Sequence, residues 1–328
     1  MRSNQLTQFC HRLLPVFYSL LILLLISPAL HAETSPTKEE DQLPSIRTLE
    51  PLDSYRDTAS QKVTRFANWI DNFFANDRIY NEAQRSYIKL YLIQTHIENN
   101  KSIYDAQIKA KLDIPKTQKR LQLFIESIDE DESDAQQTSI DETIEKQEQS
   151  IGLRFLNLDS KLWKVTTIAG IRFHSGVDPF GRIRLRRLTE KGSWTYRFTE
   201  SIFWFESDGA GETTRFDMDH PLTKNLLFRS TSQATWKNIT DQFDIGQDLI
   251  LFQTINKHKS LAYQVGGRAI KDSELYSTDY FYLVRYRQKI HKNWMFLDII
   301  PAINHPRDND FKPVRSISLK LEIVFDAK

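Results

Sequence analysis

The last residues of the chain alternate between two kinds of side chain with a period of two. In the stretch SISLKLEIVFDAK, which begins at Ser316, the first set is Ile317, Leu319, Leu321, Ile323 and Phe325, and the intervening set is Ser318, Lys320, Glu322 and Val324. A period of two is that of a β-strand whose faces meet different surroundings. Such a strand fits a soluble sheet with one dry face, or a membrane barrel whose apolar face meets lipid.

The bulk composition allows a barrel and argues against a membrane protein built from helices. The chain has 328 residues, of which 40% are hydrophobic and 27% are charged, and its mean hydropathy is −0.49. A helical membrane protein would be more apolar, whereas barrel strands alternate each apolar residue with a polar one. The length suffices for one large β domain or two ordinary domains.

Residues 1–32 have the layout of a secretory signal peptide. Arg2 and Arg12 precede an apolar run over residues 13–26, and a Ser-Pro break and small residues follow, which predicts cleavage after Ala32. The run is shorter than the roughly 20 residues that a spanning helix needs, which disfavours an uncleaved anchor. We therefore expect an exported chain.

Cleavage would also remove the only cysteine, Cys10. The mature chain then has no disulfide, so its stability must come from packing and from complete hydrogen bonding. Residues 1–32 contain two Arg and no acid, so 42 basic residues remain against 43 acidic residues. This near-neutral balance gives no support for nucleic-acid binding.

From residue 85 onward the pattern is β throughout, which predicts a barrel domain over residues 85–328. The fourteen candidate strands are 86–98, 103–114, 119–128, 150–158, 161–173, 180–189, 194–206, 211–219, 225–237, 242–255, 260–270, 278–290, 293–303 and 314–325. Most have about the ten residues that a tilted spanning strand needs, and their number is even, as in bacterial barrels. An alternative of twelve strands assigns residues 86–114 to the N-terminal region.

The links between these strands sort by length, which favours a membrane barrel. The longer links follow odd-numbered strands and include 129–149, 174–180, 207–211, 271–278 and 304–313. The shorter links are 115–118, 159–160, 189–193, 256–260 and 291–293. Outer-membrane barrels have short periplasmic turns and longer external loops. A soluble lipocalin-like barrel has fewer strands and no reason to sort its links.

Tryptophans fall near the ends of the predicted strands. Three of them begin outward-running strands and two lie late in such strands: Trp163, Trp194 and Trp294, and Trp204 and Trp236. Membrane barrels carry aromatic girdles at both interfaces. We therefore predict a transmembrane, antiparallel, up-and-down β-barrel in the outer membrane of a Gram-negative bacterium, surrounded by outer-membrane lipid and lipopolysaccharide.

The segment before the barrel is predicted to be part leader and part helix. Residues 33–52 combine three prolines with Thr, Ser, Glu and Asp, which indicates a flexible leader. Within residues 53–84, an amphipathic helix is predicted over 54–76 from apolar residues at helical spacing: Val63, Phe66, Ile70, Phe73 and Phe74. Because such a stripe is buried more often on its own domain than on a partner or membrane, we expect the helix to lie in the periplasm or to plug the lumen.

The stretch ISLKLEIVF resembles the final strand of outer-membrane β-barrels. The resemblance gives Leu319, Leu321, Ile323 and Phe325 the role of an assembly signal for the barrel-assembly machinery, with periplasmic chaperones as further partners. In most such proteins the aromatic residue is the last one, whereas three residues follow Phe325 here.

Two further stretches carry a wider resemblance. FWFESDGAGETTRFDMDHPL, residues 203–222, and LLFRSTSQATW, residues 226–236, resemble a group of uncharacterised proteobacterial outer-membrane proteins. The likeness extends over most of the mature chain. It implies an architecture and a location, and it implies no activity.

If the apolar set of each strand meets lipid, the alternate set faces the lumen and is densely charged. The basic residues predicted to line the lumen are Lys109, Lys111, Arg154, Arg172, Arg182, Arg184, Arg186, Arg197, Arg215, Arg229, Arg268, Arg285, Arg287 and Lys320. The acidic residues are Asp113, Asp217, Asp219, Asp244, Asp248, Asp298 and Glu322. Such a wall is natural around water and costly in a dry core. The excess of basic residues indicates a preference for anionic solutes.

The charged lumen predicts a passive channel or uptake pore for small polar, in particular anionic, solutes. The alternative is a structural or surface-interaction protein whose charges pair between neighbouring strands and close the lumen. A soluble periplasmic β protein is a third hypothesis. No cofactor is predicted, because the sequence has no metal-ligand spacing and no phosphate-binding glycine loop.

Two stretches contain the residue types of outer-membrane hydrolases without the right geometry. Asp217, Asp219 and His220 could form a protease site, but in a strand His220 points away from both acids. His174 and Ser175 could form a lipase pair, but adjacent side chains of an extended strand diverge. The sequence therefore predicts a protein that is not an enzyme, with a hydrolase as the alternative.

Overall fold

Fourteen β-strands make up most of the part of the chain that the computed structural model describes. That part comprises residue 70 and residues 73–74, 86–98, 102–114, 120–127, 149–160, 162–174, 176–291 and 294–326. The strands are β1 (Tyr87–Ile97), β2 (Ile103–Asp113), β3 (Leu121–Ser127), β4 (Gln149–Asp159), β5 (Trp163–His174), β6 (Gly176–Lys191), β7 (Trp194–Phe205), β8 (Gly209–Thr223), β9 (Leu226–Lys237), β10 (Gln242–Asn256), β11 (Lys259–Lys271), β12 (Leu275–His291), β13 (Met295–Pro306) and β14 (Val314–Asp326). A 3₁₀ turn at Arg307–Asn309 lies between β13 and β14.

The strands close into a barrel in which each one pairs antiparallel with its neighbours in sequence. The circle is completed by β1 and β14, whose register sets Leu92 opposite Leu321. Side chains also bond across this seam, since the hydroxyl oxygens of Thr95 and Ser318 lie 2.9 Å apart. The predicted up-and-down barrel of fourteen strands is confirmed. The alternative of twelve strands is wrong, because residues 86–114 contain β1 and β2, which close the ladder.

The two faces of the barrel wall differ as the alternation of β14 predicts. Leu319 and Phe325 on the outer face are 42% and 56% exposed, whereas Glu322 on the inner face is 1% exposed. In β6, Ile183 is exposed and Arg182 is buried. An apolar exterior around a charged interior suits a barrel in lipid and is the reverse of a soluble barrel. The chain is therefore an outer-membrane β-barrel.

Several strands extend farther at their external ends than the sequence predicts. β6 begins at Gly176, so most of the predicted external link 174–180 is strand, and β8 and β12 also begin earlier than predicted. Gly, Pro and Asp favour turns locally. Cross-strand pairing outweighs this preference here, because Arg172 and Asp178 face each other across the β5–β6 hairpin and form an ion pair.

The link between β11 and β12 is a tight turn over residues 272–274 rather than the longer loop that was predicted. The Asp272 carboxylate holds it, because Oδ1 accepts hydrogen bonds from the Glu274 backbone N–H and from the Ser273 hydroxyl, both at 3.1 Å. These bonds, that of the Glu274 amide most of all, lower the pKa of Asp272 from its ordinary value, since they favour the charged carboxylate.

Of the predicted N-terminal helix, the structure describes Ile70, Phe73 and Phe74. Ile70 and Phe73 are helical, and the Phe74 backbone N–H donates to the Ile70 carbonyl at 2.9 Å. The signal peptide 1–32, the leader 33–52 and the rest of the helix lie outside the described residues and stay predictions. Within the described ranges, no helix is long and apolar enough to cross a membrane.

Two glycines let β4 and β5 pack closely beneath aromatic rings of the inner face. Gly152 and Gly170 lie opposite each other in the ladder. A Cβ on Gly170 would lie 2.5 Å from the Ile151 carbonyl oxygen and 3.0 Å from the Phe180 ring, and a Cβ on Gly152 would lie 2.9 Å from the Phe124 ring. The rings therefore occupy the space that larger side chains would need.

We expect Gly170→Ala to destabilise the barrel by about 1–3 kcal/mol, the usual range for overpacking. The physical reason is that the added Cβ meets a backbone oxygen, which cannot rotate away. The temperature at which the folded band disappears in a heat-modifiable gel shift measures the effect. Gly181→Ala is the matched control, because nothing lies within 4 Å of a Cβ added there. Equal melting of the two variants would contradict the prediction.

Candidate functional site

The inner face of the barrel is the candidate site, and it carries all the residues that were predicted to line the lumen. The strand registers place them there, because opposed residues of neighbouring strands share a face. Lys109, for example, lies opposite the buried Lys89, and Arg268 lies opposite the buried Asp279. That these residues line a path for a solute stays a prediction.

Basic residues dominate the inner face of four consecutive strands, β4 to β7. The members of this group, which we call the basic wall, are Arg154, Lys164, Arg172, Arg182, Arg184, Arg186 and Arg197. The buried carboxylate among them is Asp178, whereas Asp159 and Glu190 are exposed beside the periplasmic turns. The inner face of these strands is therefore strongly positive.

Phenylalanine rings support guanidinium groups of the basic wall. The guanidinium carbon of Arg172 lies 4.0 Å from the centroid of the Phe205 ring, and that of Arg154 lies 5.2 Å from the Phe124 ring. Phe205 also stacks on Phe180 at 5.5 Å. A guanidinium over a ring gains about 0.5–2 kcal/mol. The rings therefore hold these positive charges in fixed places on the wall.

The external end of the basic wall is held by Arg172 and Asp178. Arg172 donates from Nε and Nη2 to Asp178 Oδ2 at 2.9 and 2.6 Å, and it also pairs with Asp208. The Ser207 backbone N–H donates to Asp178 Oδ1 at 3.0 Å. The β5–β6 and β7–β8 hairpins are thereby joined. Sequence reasoning missed both acids, because they fall in stretches that were predicted to be external links.

A buried network of ion pairs joins β12, β13, β14 and β1 on the opposite side of the barrel. Asp298 Oδ2 accepts hydrogen bonds from Arg285 Nη2 and Arg287 Nη1, both at 2.7 Å. Arg287 Nη2 donates to Glu322 Oε2 at 2.5 Å, and the Lys89 ammonium lies 3.9 Å from Glu322 Oε1. All five side chains are buried. Opposite charges alternate through this network, which offsets the loss of their hydration.

The acids of the protease-like stretch are also held by arginines. Asp219 accepts two hydrogen bonds from Arg229, at 2.5 and 2.7 Å, and Asp217 pairs with another arginine of the inner face. His220 lies on the outer face, where its ring stacks on Trp194 with centroids 4.3 Å apart. The structure thus separates His220 from both acids, as the strand geometry predicts.

The lipase-like stretch is described only in part, so the expectation that His174 and Ser175 form no lipase pair stays a prediction. Ser175 lies outside the described residues, and His174 ends β5. Among the residues that the structure describes, no group of three or more His, Cys, Asp and Glu side chains could hold a metal ion.

The described N-terminal residues pack against the inner face near the periplasmic ends of β9 to β11. Ile70, Phe73 and Phe74 form one apolar cluster with four wall residues, which we call the docking patch: Leu227, Ile250, Phe252 and Ala262. The Phe74 ring lies 5.2 Å from the Phe252 ring, and Arg285 Nη2 donates to the Phe74 carbonyl at 3.1 Å. A helical turn of the N-terminal segment therefore lies inside the barrel.

Sequence reasoning missed the inward-facing apolar residues as a group. Phe203 and Phe205 share the parity of Arg197 in β7, and Phe252 shares that of Asp248 in β10. The signal was present in this parity. The inward orientation of these phenylalanines was missed because all apolar residues of a strand were assigned to lipid.

No protein-family model and no curated protein matches the sequence. Membership of the proteobacterial group named above therefore stays a prediction.

Solved structures of outer-membrane barrels resemble the chain in fold. OprB of Pseudomonas putida is 8% identical, with 76% of this chain and 97% of that chain covered and a TM-score of 0.47. The outer membrane channel DcaP of Acinetobacter baumannii is 7% identical, with 74% and 96% covered and a TM-score of 0.42. The KdgM porin is 6% identical, with 72% and 99% covered and a TM-score of 0.35. Likenesses this distant carry no inference about a solute or a site.

We expect Asp298→Ala to destabilise the barrel by about 3–5 kcal/mol, the range for breaking a buried ion pair. The cause is that Arg285 and Arg287 lose the carboxylate that both of them contact. Denaturant unfolding in detergent, followed by the heat-modifiable gel shift, measures the loss.

The matched control for this prediction is Glu98→Ala. Glu98 pairs with Arg315 at 3.0 Å, and both side chains are exposed, so its removal should cost about 0–1 kcal/mol. An Asp298→Ala barrel that unfolds at the same denaturant concentration as this control would show that the buried network contributes nothing to stability.

Proposed function

We propose that the protein is a passive outer-membrane channel for small polar solutes, with a preference for anions. The observation that carries the proposal is the one-sided distribution of charge on the inner face. Most inner-face acids of β8 to β14 pair with basic residues, as in Asp219 with Arg229 and Asp298 with Arg287. The basic wall of β4 to β7 holds a large excess of positive charge around Asp178. A wall of one sign raises the local concentration of counter-ions.

The number of strands is compatible with a conducting lumen. Barrels of about eight strands are filled by their own side chains, whereas those of about sixteen or more leave an aqueous channel. Fourteen strands lie between these cases. Conduction then depends on how far the side chains of the wall and the N-terminal segment reach into the lumen.

The second candidate function is a closed barrel with a structural or surface-interaction role. The specific observation in its favour is the complete burial of charged inner-face residues such as Lys111, Arg229 and Arg287. Charges that are buried in this way fill part of the interior. Conductance distinguishes the two candidates. An enzymatic function is disfavoured, because Asp217 and Asp219 lie on the inner face of the barrel whereas His220 lies on the outer face.

We further propose that residues 53–84 form a plug at the periplasmic end of the lumen. The packing of Ile70, Phe73 and Phe74 on the docking patch supports this. The docking patch is an apolar surface within a charged wall, and exposing it to water would be unfavourable. A helical turn that covers it would narrow the periplasmic opening.

We further propose that segments outside the lumen direct export and assembly. Residues 1–32 act as a cleaved signal peptide and residues 33–52 as a flexible leader. Leu319, Leu321, Ile323 and Phe325 serve as the signal for the barrel-assembly machinery, with periplasmic chaperones as carriers. Their position on the outer face of β14, beside the seam with β1, supports this role.

We expect the purified barrel to conduct in planar bilayers and to prefer chloride to potassium in a salt gradient. Replacing Arg182, Arg184 and Arg186 together by Gln should reduce that preference by roughly tenfold, the lower end of what a charged lining does to local ion concentration. The reversal potential measures it. Arg187→Gln is the matched control, because Arg187 follows Arg186 directly but lies on the outer face over Trp163. Equal shifts in the two variants would contradict the role of the basic wall.

We expect Phe73→Ala combined with Phe74→Ala to increase the single-channel conductance or the open fraction. Losing a buried phenyl ring costs about 3–5 kcal/mol, so the segment should leave the docking patch. Phe155→Ala on the outer face is the control. An unchanged trace from the double variant would contradict the plug. If neither the wild type nor the double variant conducted at any voltage, the channel hypothesis would be contradicted and the closed barrel favoured.

A further inference from the structure

The outer face of β6 carries two basic residues at the periplasmic end of the strand, Arg187 and Lys191. Both have the parity of Ile183, which faces lipid, and the opposite parity to Arg182, which is buried in the inner face. Glu190, the acid that lies between them in sequence, has the parity of the inner face. The lipid-facing side of this end of β6 is therefore positively charged.

The strand registers place both cations at the level of the membrane interface. Arg187 lies opposite Trp163, the first residue of β5, which directly follows the β4–β5 turn. Lys191 lies opposite Trp194, the first residue of β7. Tryptophans at strand ends mark the level of the lipid headgroups. Because the β4–β5 and β6–β7 turns are periplasmic, the headgroups at this level belong to the periplasmic leaflet.

Aromatic rings flank this positive surface on both sides. On the β5 side, the guanidinium carbon of Arg187 lies 5.2 Å from the centroid of the Trp163 ring. On the β7 side, the Trp194 and Tyr196 rings stack with centroids 6.2 Å apart, and the His220 ring stacks on Trp194 at 4.3 Å. The rings give the surface an apolar frame, and they add no negative charge to it.

Arg187 has no carboxylate partner in the part of the chain that the structure describes. Its Nε is buried and donates to no acceptor there, whereas the side chain as a whole is partly exposed. Arg315 on the outer face of β14 differs, because its Nη1 donates to Glu98 Oε1 at 3.0 Å. A cation that faces lipid is costly unless it reaches an anion, and an arginine at this level extends its guanidinium toward the headgroups.

We propose that Arg187 and Lys191 bind the phosphate of an anionic phospholipid in the periplasmic leaflet of the outer membrane. The planar guanidinium can donate two parallel hydrogen bonds to one phosphate, and the Lys191 ammonium adds a point charge beside the turn. The occupant is a lipid rather than a free phosphate, because the surface faces acyl chains and its rings pack against them. The periplasmic position favours a phospholipid over lipopolysaccharide, which occupies the external leaflet.

The charge of the site also selects among phospholipids. Two neighbouring cations attract the net negative headgroup of phosphatidylglycerol. They repel the ammonium group of phosphatidylethanolamine, which carries no net charge. A bound phosphatidylglycerol would contact β5, β6 and β7 together and so hold the periplasmic ends of these strands from the outside.

Native mass spectrometry of the purified mature barrel in detergent tests the site. Phosphatidylglycerol and phosphatidylethanolamine of equal chain length are added separately, and the lipid-bound fraction is measured. We expect the wild type to bind phosphatidylglycerol more tightly. Arg187→Gln combined with Lys191→Gln should weaken that binding by roughly tenfold or more, since a hydrogen bond to a charged group contributes about this factor. Arg187→Lys should lose less than Arg187→Gln, because it keeps the charge without the planar fork.

Arg315→Gln is the matched control, because Arg315 lies on the outer face near an external strand end and already pairs with Glu98. It should leave phosphatidylglycerol binding unchanged. The heat-modifiable gel shift shows whether each variant folds, and the comparison of the two lipids on the wild type stands even where a variant does not. Equal binding of the two lipids, undiminished binding by the double variant, or an equal loss in Arg315→Gln would overturn the proposal.

A competition experiment distinguishes a lipid from a free anion. Glycerol 3-phosphate carries a phosphate without acyl chains, so an equal concentration of it should not displace phosphatidylglycerol from the wild type. Displacement by glycerol 3-phosphate, or tighter binding of lipopolysaccharide than of phosphatidylglycerol, would overturn the assignment of the occupant. Neither experiment depends on conductance, so the site is tested independently of the channel.

Discussion

The structure depends on the requirement that every backbone N–H and C=O in the bilayer be hydrogen-bonded within the protein, because acyl chains supply no partner. The pairing of β1 with β14 meets this requirement by leaving no strand edge in the sheet. A chain whose only cysteine is Cys10 cannot replace that ladder with disulfides. The closed ladder also sets the two faces, since each residue between two paired neighbours must point either to lipid or to the interior.

The interior divides into two parts with different electrostatics. From β8 to β1 the charges are arranged as pairs and networks, among them the buried group of Asp298 with its two arginines. From β4 to β7 the basic residues outnumber the acids, and Arg154, Arg172 and Arg182 lie over phenyl rings. Arginines of the other part, such as Arg229 and Arg287, also lie over rings, but these arginines are paired with acids. A phenyl ring attracts a guanidinium group without adding a negative charge to the inner face. The first part therefore stabilises the barrel, whereas the second keeps a positive potential in the lumen.

Much of the fold followed from the period of two, because that period is local and is imposed by the strand geometry itself. The alternation of Ile183 with Arg182 and Arg184 indicated both faces of β6 before any partner was known. The external start of β6 was not predictable in the same way. Gly176 and Pro179 favour a turn, and the stretch is a strand because it pairs with β5, where Arg172 faces Asp178.

The ion-pair partners could not be predicted either, because a pair such as Arg287 and Glu322 depends on which strands are neighbours and in what register. Apolar residues of the inner face, such as Phe205 and Phe252, were hidden for a different reason. A phenylalanine in a strand looks the same in sequence whether it meets lipid, a guanidinium group or a helical turn. Their environment is decided by the tertiary structure alone.

The seam between the first and last strands has a consequence for how the chain folds. Thr95 and Ser318, whose hydroxyls bond across it, are 223 residues apart in sequence. Closing so long a loop is entropically unfavourable, and contacts of this separation form slowly. Until the C-terminal strand arrives, β1 has an open edge that could pair with another chain. A chain that lacked β14 would therefore form a sheet with two unpaired edges, so β1 needs shielding until β14 has paired with it.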